Sequence, residues 1–155
     1  MTHKSKYIAA AAQLGPINPD DSKESVIARM YDLLHEAKTE GTALVVFPEL
    51  CLTTFFPRYY ITDQANLDTY YENEVPLSLI SDLVELIRKE EIIISFGYAE
   101  RDNGTPFNTS VYLDSSGSIL GKYRKIHLPG HYEYEPERPF QHLEKRYFKK
   151  GNLGF

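Results

Sequence analysis

The chain has 155 residues, of which 42% are hydrophobic and 25% are charged, and its formal net charge is −5 at pH 7. This composition predicts one globular domain over residues 1–155, and it argues against a nucleic-acid partner or a membrane helix. A single cysteine excludes an internal disulfide framework, and no apolar signal-peptide core follows the first residues, so we expect a cytoplasmic protein.

The first third of the sequence predicts a strand, a helix and a second strand. Tyr7–Gln13 is a short apolar run, typical of a buried strand. Asp21 and Glu24 have the spacing of a capping box before a helix, and Gly41 is placed to end that helix. Ala43–Phe47 is a continuous apolar run, as expected for a strand that is covered on both faces.

The segment from Cys51 to Pro76 has no regular period and is predicted to be a long functional loop. A second amphipathic helix is predicted to open at Pro76. Three strands follow, with a hairpin turn at Asn103-Gly104 between the first two: Ile92–Ala99, Phe107–Leu113 and Ile119–Ile126. The pattern predicts an α/β sheet with one layer of two helices, which leaves one sheet face in need of a partner. We therefore expect a chain that stops partway through its fold or pairs with another chain.

Two charged residues at strand ends are candidates for acid–base chemistry. Glu49 follows an apolar strand and Pro48, and it is predicted to be either a general base at a sheet edge or a solvated acid. Lys125 is predicted to be either the cation that stabilises an oxyanion or one member of a surface basic cluster. The two residues become informative together if the fold brings them to one edge.

The remaining reactive side chains give weaker signals. Cys51 lies two residues after Glu49 and is predicted to be a structural thiol, because a nearby carboxylate disfavours the thiolate. The spacing of His127, His131 and His142 matches no zinc template, so we expect hydrogen-bonding residues rather than a metal site. On position alone, Glu144 is a surface charge.

The ordered set of motifs resembles a known family. Three segments occur in the order found in the nitrilase (carbon–nitrogen hydrolase) superfamily: Phe47–Leu50, Phe107–Ser110 and Gly121–Leu128. Three further segments are similar to N-carbamoyl-D-amino-acid amidohydrolases: Leu52–Arg58, His127–His131 and Arg138–Phe148. The resemblance covers essentially the whole chain.

This resemblance implies an αββα-sandwich fold and a Glu–Lys–Cys triad. Glu49 would be the general base and Lys125 the oxyanion-stabilising cation. Glu144 matches the family's second glutamate, which orients the substrate and the lysine. His127 and His142 match histidines that line the site.

The resemblance also implies that this chain supplies about the first half of such an enzyme. The nucleophilic cysteine would lie beyond residue 155, and Cys51 would not replace it, so the chain alone is predicted to be inactive. The expected reaction is hydrolysis of an N-carbamoyl-D-amino acid without a cofactor or metal, by a full-length enzyme that forms a homo-oligomer. The alternatives are a non-catalytic half-domain that acts in interactions, or another branch such as an amidase or β-ureidopropionase.

Overall fold

The computed structural model describes residues 6–154, which form one five-stranded mixed sheet whose strand order follows the chain order. The strands are β1 (Ile8–Ala11), β2 (Thr42–Val46), β3 (Ile93–Asp102), β4 (Thr105–Leu113) and β5 (Ile119–Arg124). The helices are α1 (Lys23–Thr39), α2 (Gln64–Asp68), α3 (Ser81–Glu90) and α4 (Glu144–Tyr147), with a 3₁₀ turn at Phe56–Arg58. Within residues 6–154, no helix combines the length and apolar character needed to cross a membrane.

Helical crossovers and tight hairpins divide the sheet into two parts. β1, β2 and β3 are parallel, and α1 and α3 lie in the connections between them. β3, β4 and β5 are antiparallel. The turn between β3 and β4 is Asn103-Gly104, where both residues have positive φ, as this kind of hairpin requires.

The main core lies between the two long helices and one face of the sheet. Buried residues of both helices, such as Met30 and Leu83, pack against alternate strand residues that include Val45, Phe96 and Val111. Because strand side chains alternate, the residues between them point to the opposite face. On that open face Val46 is 43% exposed and Tyr112 is 41% exposed.

A second hydrophobic cluster covers one end of the open face. Phe56 and Tyr71, from the segment between β2 and α3, pack with Tyr147 and Phe148 at the end of α4. Ala99 of β3 belongs to this cluster, whereas the preceding residue belongs to the main core. The irregular segment and α4 therefore fix each other's position on the same face.

The predicted elements are present, but many of their boundaries differ from the prediction, as three examples show. The side chain of Ser22, not of Asp21, caps α1 by accepting a hydrogen bond from the backbone N–H of Ser25. α3 begins at Ser81 because the residues after Pro76 form a turn first. β5 ends at Arg124, so Lys125 lies just outside the strand.

Candidate active site

The position of Glu49 depends on how the chain leaves β2. The segment after Pro48 continues alongside β3, where the N–H of Gly97 donates to the Pro48 carbonyl at 3.1 Å and the N–H of Cys51 donates to the Gly97 carbonyl at 2.9 Å. Leu50 takes a positive φ of 48°, which is unfavourable for a residue with a side chain. This path holds Glu49 over the open face of the sheet.

Gly97 makes this close approach possible, and Gly97→Ala should displace the glutamate segment. A Cβ at this position would lie 2.7 Å from the Leu50 nitrogen and 2.8 Å from the Glu49 Cα. Both contacts are with backbone, so we expect a loss of about 1–3 kcal/mol in the free energy of unfolding, measured by urea denaturation. Gly121→Ala is the matched control on β5, because no atom lies within 4 Å of its added Cβ. Equal stability of the two variants would contradict the prediction.

Lys125 is held through its backbone by two neighbouring segments. Its N–H donates to the Asn108 carbonyl at 2.8 Å, and its own carbonyl accepts from the Gly151 N–H at 2.9 Å. The side-chain ammonium Nζ then lies 2.6 Å from Glu49 Oε1 and 2.8 Å from Glu144 Oε2. The two candidate residues from separate strand ends therefore meet, with a second carboxylate beside them.

Glu144 is buried, so its interpretation as a surface charge was wrong. It is the first residue of α4, and the second hydrophobic cluster holds that short helix inward. Its side chain is 2% exposed, and both oxygens are occupied: Oε2 by Lys125, and Oε1 by the ring nitrogen Nε2 of His142 at 3.1 Å.

The two glutamates differ in their exposure and in the way their oxygens are hydrogen-bonded. The side chain of Glu49 is 44% exposed, and both of its hydrogen bonds, from Lys125 and from Asn108, go to Oε1. Within residues 6–154 no hydrogen-bond donor occupies Oε2. The hydrogen bonds of Glu49 thus share one oxygen, whereas those of Glu144 involve both oxygens.

The ammonium of Lys125 is electrostatically stabilised in its charged form. Burial alone would lower the pKa of Lys125, but its hydrogen bonds to Glu144 and Glu49 outweigh burial and raise the pKa above its usual value. Lys125 therefore carries a fixed positive charge at neutral pH, which suits stabilisation of a developing oxyanion rather than proton abstraction.

The other predicted residues lie at different distances from this cluster. His142 reaches it through Glu144, but His127 lines a separate cavity with Tyr132 and Lys145. The sequence interpretation missed Asn108, whose side-chain nitrogen donates to Glu49 at 2.5 Å and lies 3.4 Å from Glu144 Oε2. The signal for Asn108 in the sequence was its place in the family-like segment Phe107–Ser110, on the strand face opposite the apolar residues.

Cys51 is a buried thiol, as its sequence position predicted. It packs in the main core, and burial raises its pKa to about 12, against smaller opposing effects from backbone hydrogen bonds. At neutral pH its thiolate fraction is roughly a thousandfold below that of an exposed thiol with a pKa of about 8.5. Cys51 therefore has neither the exposure nor the ionisation of a nucleophile.

A buried network of charged residues lies on the helix-covered face of the sheet, opposite the face that carries Glu49. Arg124, the residue before Lys125, donates to both oxygens of Glu100 at 2.8 and 3.0 Å and to Asp102 at 2.9 Å. Its guanidinium also lies 4.1 Å above the ring of Phe107. Lys122 forms a further ion pair with Glu100. This network fixes the end of β5 from the face opposite the site.

Glu49 and Lys125 border a cleft on the open face, and Glu144 lies buried behind Lys125. A cavity of about 320 Å³ extends from Glu49 and Lys125 along Asn108, Ser110 and Tyr123. Among residues 6–154, no group of three or more histidine, cysteine, aspartate or glutamate side chains is arranged to hold a metal ion. The charged groups that border this cleft are a carboxylate, Glu49, and a fixed cation, Lys125.

Comparison with known proteins gives a consistent match. The family model described as carbon–nitrogen hydrolase matches residues 8–155. A citrullinase from Francisella tularensis is 27% identical, over 88% of this chain and 44% of its own length. An N-carbamoylputrescine amidase from Arabidopsis thaliana is also 27% identical, over 87% of this chain and 42% of its own length.

A solved structure matches the fold as well as the sequence. The crystal structure of a carbon–nitrogen hydrolase from Helicobacter pylori G27 superposes with a TM-score of 0.69 and 27% identity, over 90% of this chain and 44% of that chain. This chain thus spans less than half of the length of these relatives. The mixed sheet with its helices corresponds to part of their α/β fold.

Proposed function

Because the chain belongs to the carbon–nitrogen hydrolase (nitrilase) family, we propose that it supplies the acid–base part of an active site that hydrolyses a non-peptide C–N bond. The observation that carries this proposal is the cluster of Glu49, Lys125 and Glu144 at the edge of an open cleft. The thiol nucleophile comes from residues outside this chain, since Cys51 is buried and protonated.

The proposed reaction has two half-reactions, formation and hydrolysis of a covalent intermediate, and Glu49 acts as the base in each. Glu49 takes the proton of the incoming thiol, and the thiolate attacks the carbonyl carbon. Lys125 stabilises the oxyanion of the tetrahedral intermediate, and the proton passes to the departing amine. Glu49 then activates a water molecule that hydrolyses the covalent intermediate and releases the thiol. Glu144 keeps the ammonium of Lys125 in place throughout.

We infer an N-carbamoyl compound as the substrate class. Citrulline and N-carbamoylputrescine, for which two relatives are named, both carry a carbamoyl group on nitrogen. Within this class we propose N-carbamoyl-D-amino acids, which would give a D-amino acid, ammonia and CO₂. The motifs at residues 52–58 and 138–148 support this choice.

A second candidate function is a non-catalytic interaction module. The exposure of Val46 and Tyr112 on the open sheet face favours it, because these apolar side chains would be buried by a partner. The two functions differ in one respect: an interaction module needs no nucleophile and gives no turnover in any context.

An ammonia-release assay tests the proposal. The 155-residue chain should be inactive on N-carbamoyl-D-amino acids, the corresponding L-compounds, N-carbamoylputrescine and citrulline. The completed chain, defined as residues 1–155 joined to the cysteine-bearing C-terminal part of a family member, should release ammonia fastest from a carbamoyl substrate. Cys51→Ala should leave that rate within about twofold, because the thiol is buried away from the cleft. Activity of the 155-residue chain that depends on Cys51, or an inactive but folded completed chain, would refute the proposal.

A further inference from the structure

Asn108 contacts both carboxylates through an uncharged side chain. It lies on β4, is 4% exposed, and directs its amide nitrogen at Glu49 Oε1 and Glu144 Oε2. These are the same two oxygens that receive the ammonium of Lys125. The amide and the ammonium therefore hold the two glutamates from two sides.

The two glutamates depend on Asn108 to different degrees. Glu144 is buried, held by α4, and bonded to His142 as well as to Lys125. Its contact with Asn108 is long, at 3.4 Å. Glu49 is the more exposed of the two, and Lys125 and Asn108 are its two side-chain partners. Without the amide, one flexible lysine would be left to keep Glu49 in place.

Two different parts of Asn108 act on the cluster. Its backbone carbonyl accepts the N–H of Lys125 at 2.8 Å, and this bond survives any substitution of the side chain. Its side-chain amide occupies Glu49 Oε1. The backbone of Asn108 therefore places the cation, and its amide joins the ammonium on the same oxygen of Glu49.

We propose that Asn108 is a positioning residue that retains the carboxylate of Glu49 against the ammonium of Lys125. The catalytic role of Asn108 rests on the proposed function. Its contact with Glu49 can be tested on the 155-residue chain without measuring turnover. Glu49 and Glu144 contact the ammonium of Lys125, His142 contacts Glu144, and Tyr123 lines the same cleft.

The test measures the pKa of Lys125 from the pH dependence of its acetylation by acetic anhydride, quantified by mass spectrometry. Exposed Lys149 is the internal standard. Glu49→Gln should lower the pKa of Lys125 by about one pH unit, because one adjacent opposite charge is removed. Asn108→Ser shortens the side chain beyond reach of Glu49, and it should reproduce at least half of that change. Asn108→Leu, which keeps the size of the side chain, should do the same.

The combination of the two changes separates positioning from general packing. If Asn108 acts through Glu49, then Asn108→Ser should have no further effect in the Glu49→Gln background. An unchanged pKa of Lys125 in both Asn108 variants would overturn the proposal. So would an equal change with and without Glu49. Ser110 shows that this strand face accommodates a serine side chain. Asn108→Ser can therefore still be measured if Asn108→Leu fails to fold. An inactive completed chain would refute the proposed function and leave this measurement unaffected.

Discussion

Lys125→Ala in the completed chain should lower kcat by about 10²–10³-fold, because it removes the fixed cation beside the reacting carbonyl. Glu49→Gln should lower kcat by about 10²–10⁴-fold, because an amide keeps the shape of the carboxylate but accepts no proton. Initial rates of ammonia release from an N-carbamoyl substrate measure both effects. Since hydrogen bonds to Glu144 and Glu49 raise the pKa of Lys125 above its usual value, its ammonium stays charged at the neutral pH of the assay.

Two exposed residues provide matched controls for these variants. Lys149→Ala and Glu74→Gln make the same chemical changes outside the cluster, and both should leave kcat within about twofold. Lys125→Ala leaves buried Glu144 with fewer partners, so its urea denaturation must be recorded alongside the rates. A folded Lys125→Ala or Glu49→Gln variant with more than about a tenth of the normal rate would contradict the assigned roles.

Arg124→Met should be the most destabilising of the single substitutions considered, at about 3–5 kcal/mol in the free energy of unfolding. The change removes the bidentate partner of buried Glu100 and leaves that carboxylate with Lys122 and Thr109 alone, and breaking a buried ion pair is costly. Urea denaturation of the 155-residue chain measures it. Arg138→Met is the control, because its ion pair with Glu135 is exposed and should contribute at most about 1 kcal/mol. Similar losses for the two variants would contradict the prediction.

The ion-pair network around Glu100 predicts how the free energy of unfolding depends on pH. Burial would raise the pKa of Glu100, but hydrogen bonds from Arg124, Lys122 and Thr109 lower it to about 2. An unfolded glutamate has a pKa of about 4.3, so the contribution of Glu100 is fully present above that pH and is lost as pH falls towards 2. The contribution is about 3 kcal/mol, and it should be much smaller in Arg124→Met.

The sequence was most informative where a local pattern decides the structure. Apolar runs and turn residues identified every strand and both long helices, because periodicity and burial are linked along a single element. Glu49 and Lys125 were identified as candidates from their places at strand ends. Their contact could not be derived from pattern alone, because β2 and β5 are separated in the sheet by β3 and β4.

The features that the sequence did not predict depend on contacts between distant segments. Glu144 is inward because α4 packs on aromatic residues some 75 to 90 positions earlier, such as Phe56 and Tyr71. Asn108 alternates with apolar residues, a pattern that by itself indicates a solvated strand face. The path of Leu50 beside Gly97 requires a positive φ that no sequence rule assigns to leucine.

The agreement between strand order and chain order has a consequence for synthesis on the ribosome. Each new strand pairs with the strand made just before it, so the sheet can grow as the polypeptide emerges. Glu49 and Lys125 become neighbours once β5 has docked, and Glu144 joins them when the residues up to Phe148 have emerged. The acid–base cluster can therefore be assembled before any later part of a longer polypeptide has left the exit tunnel.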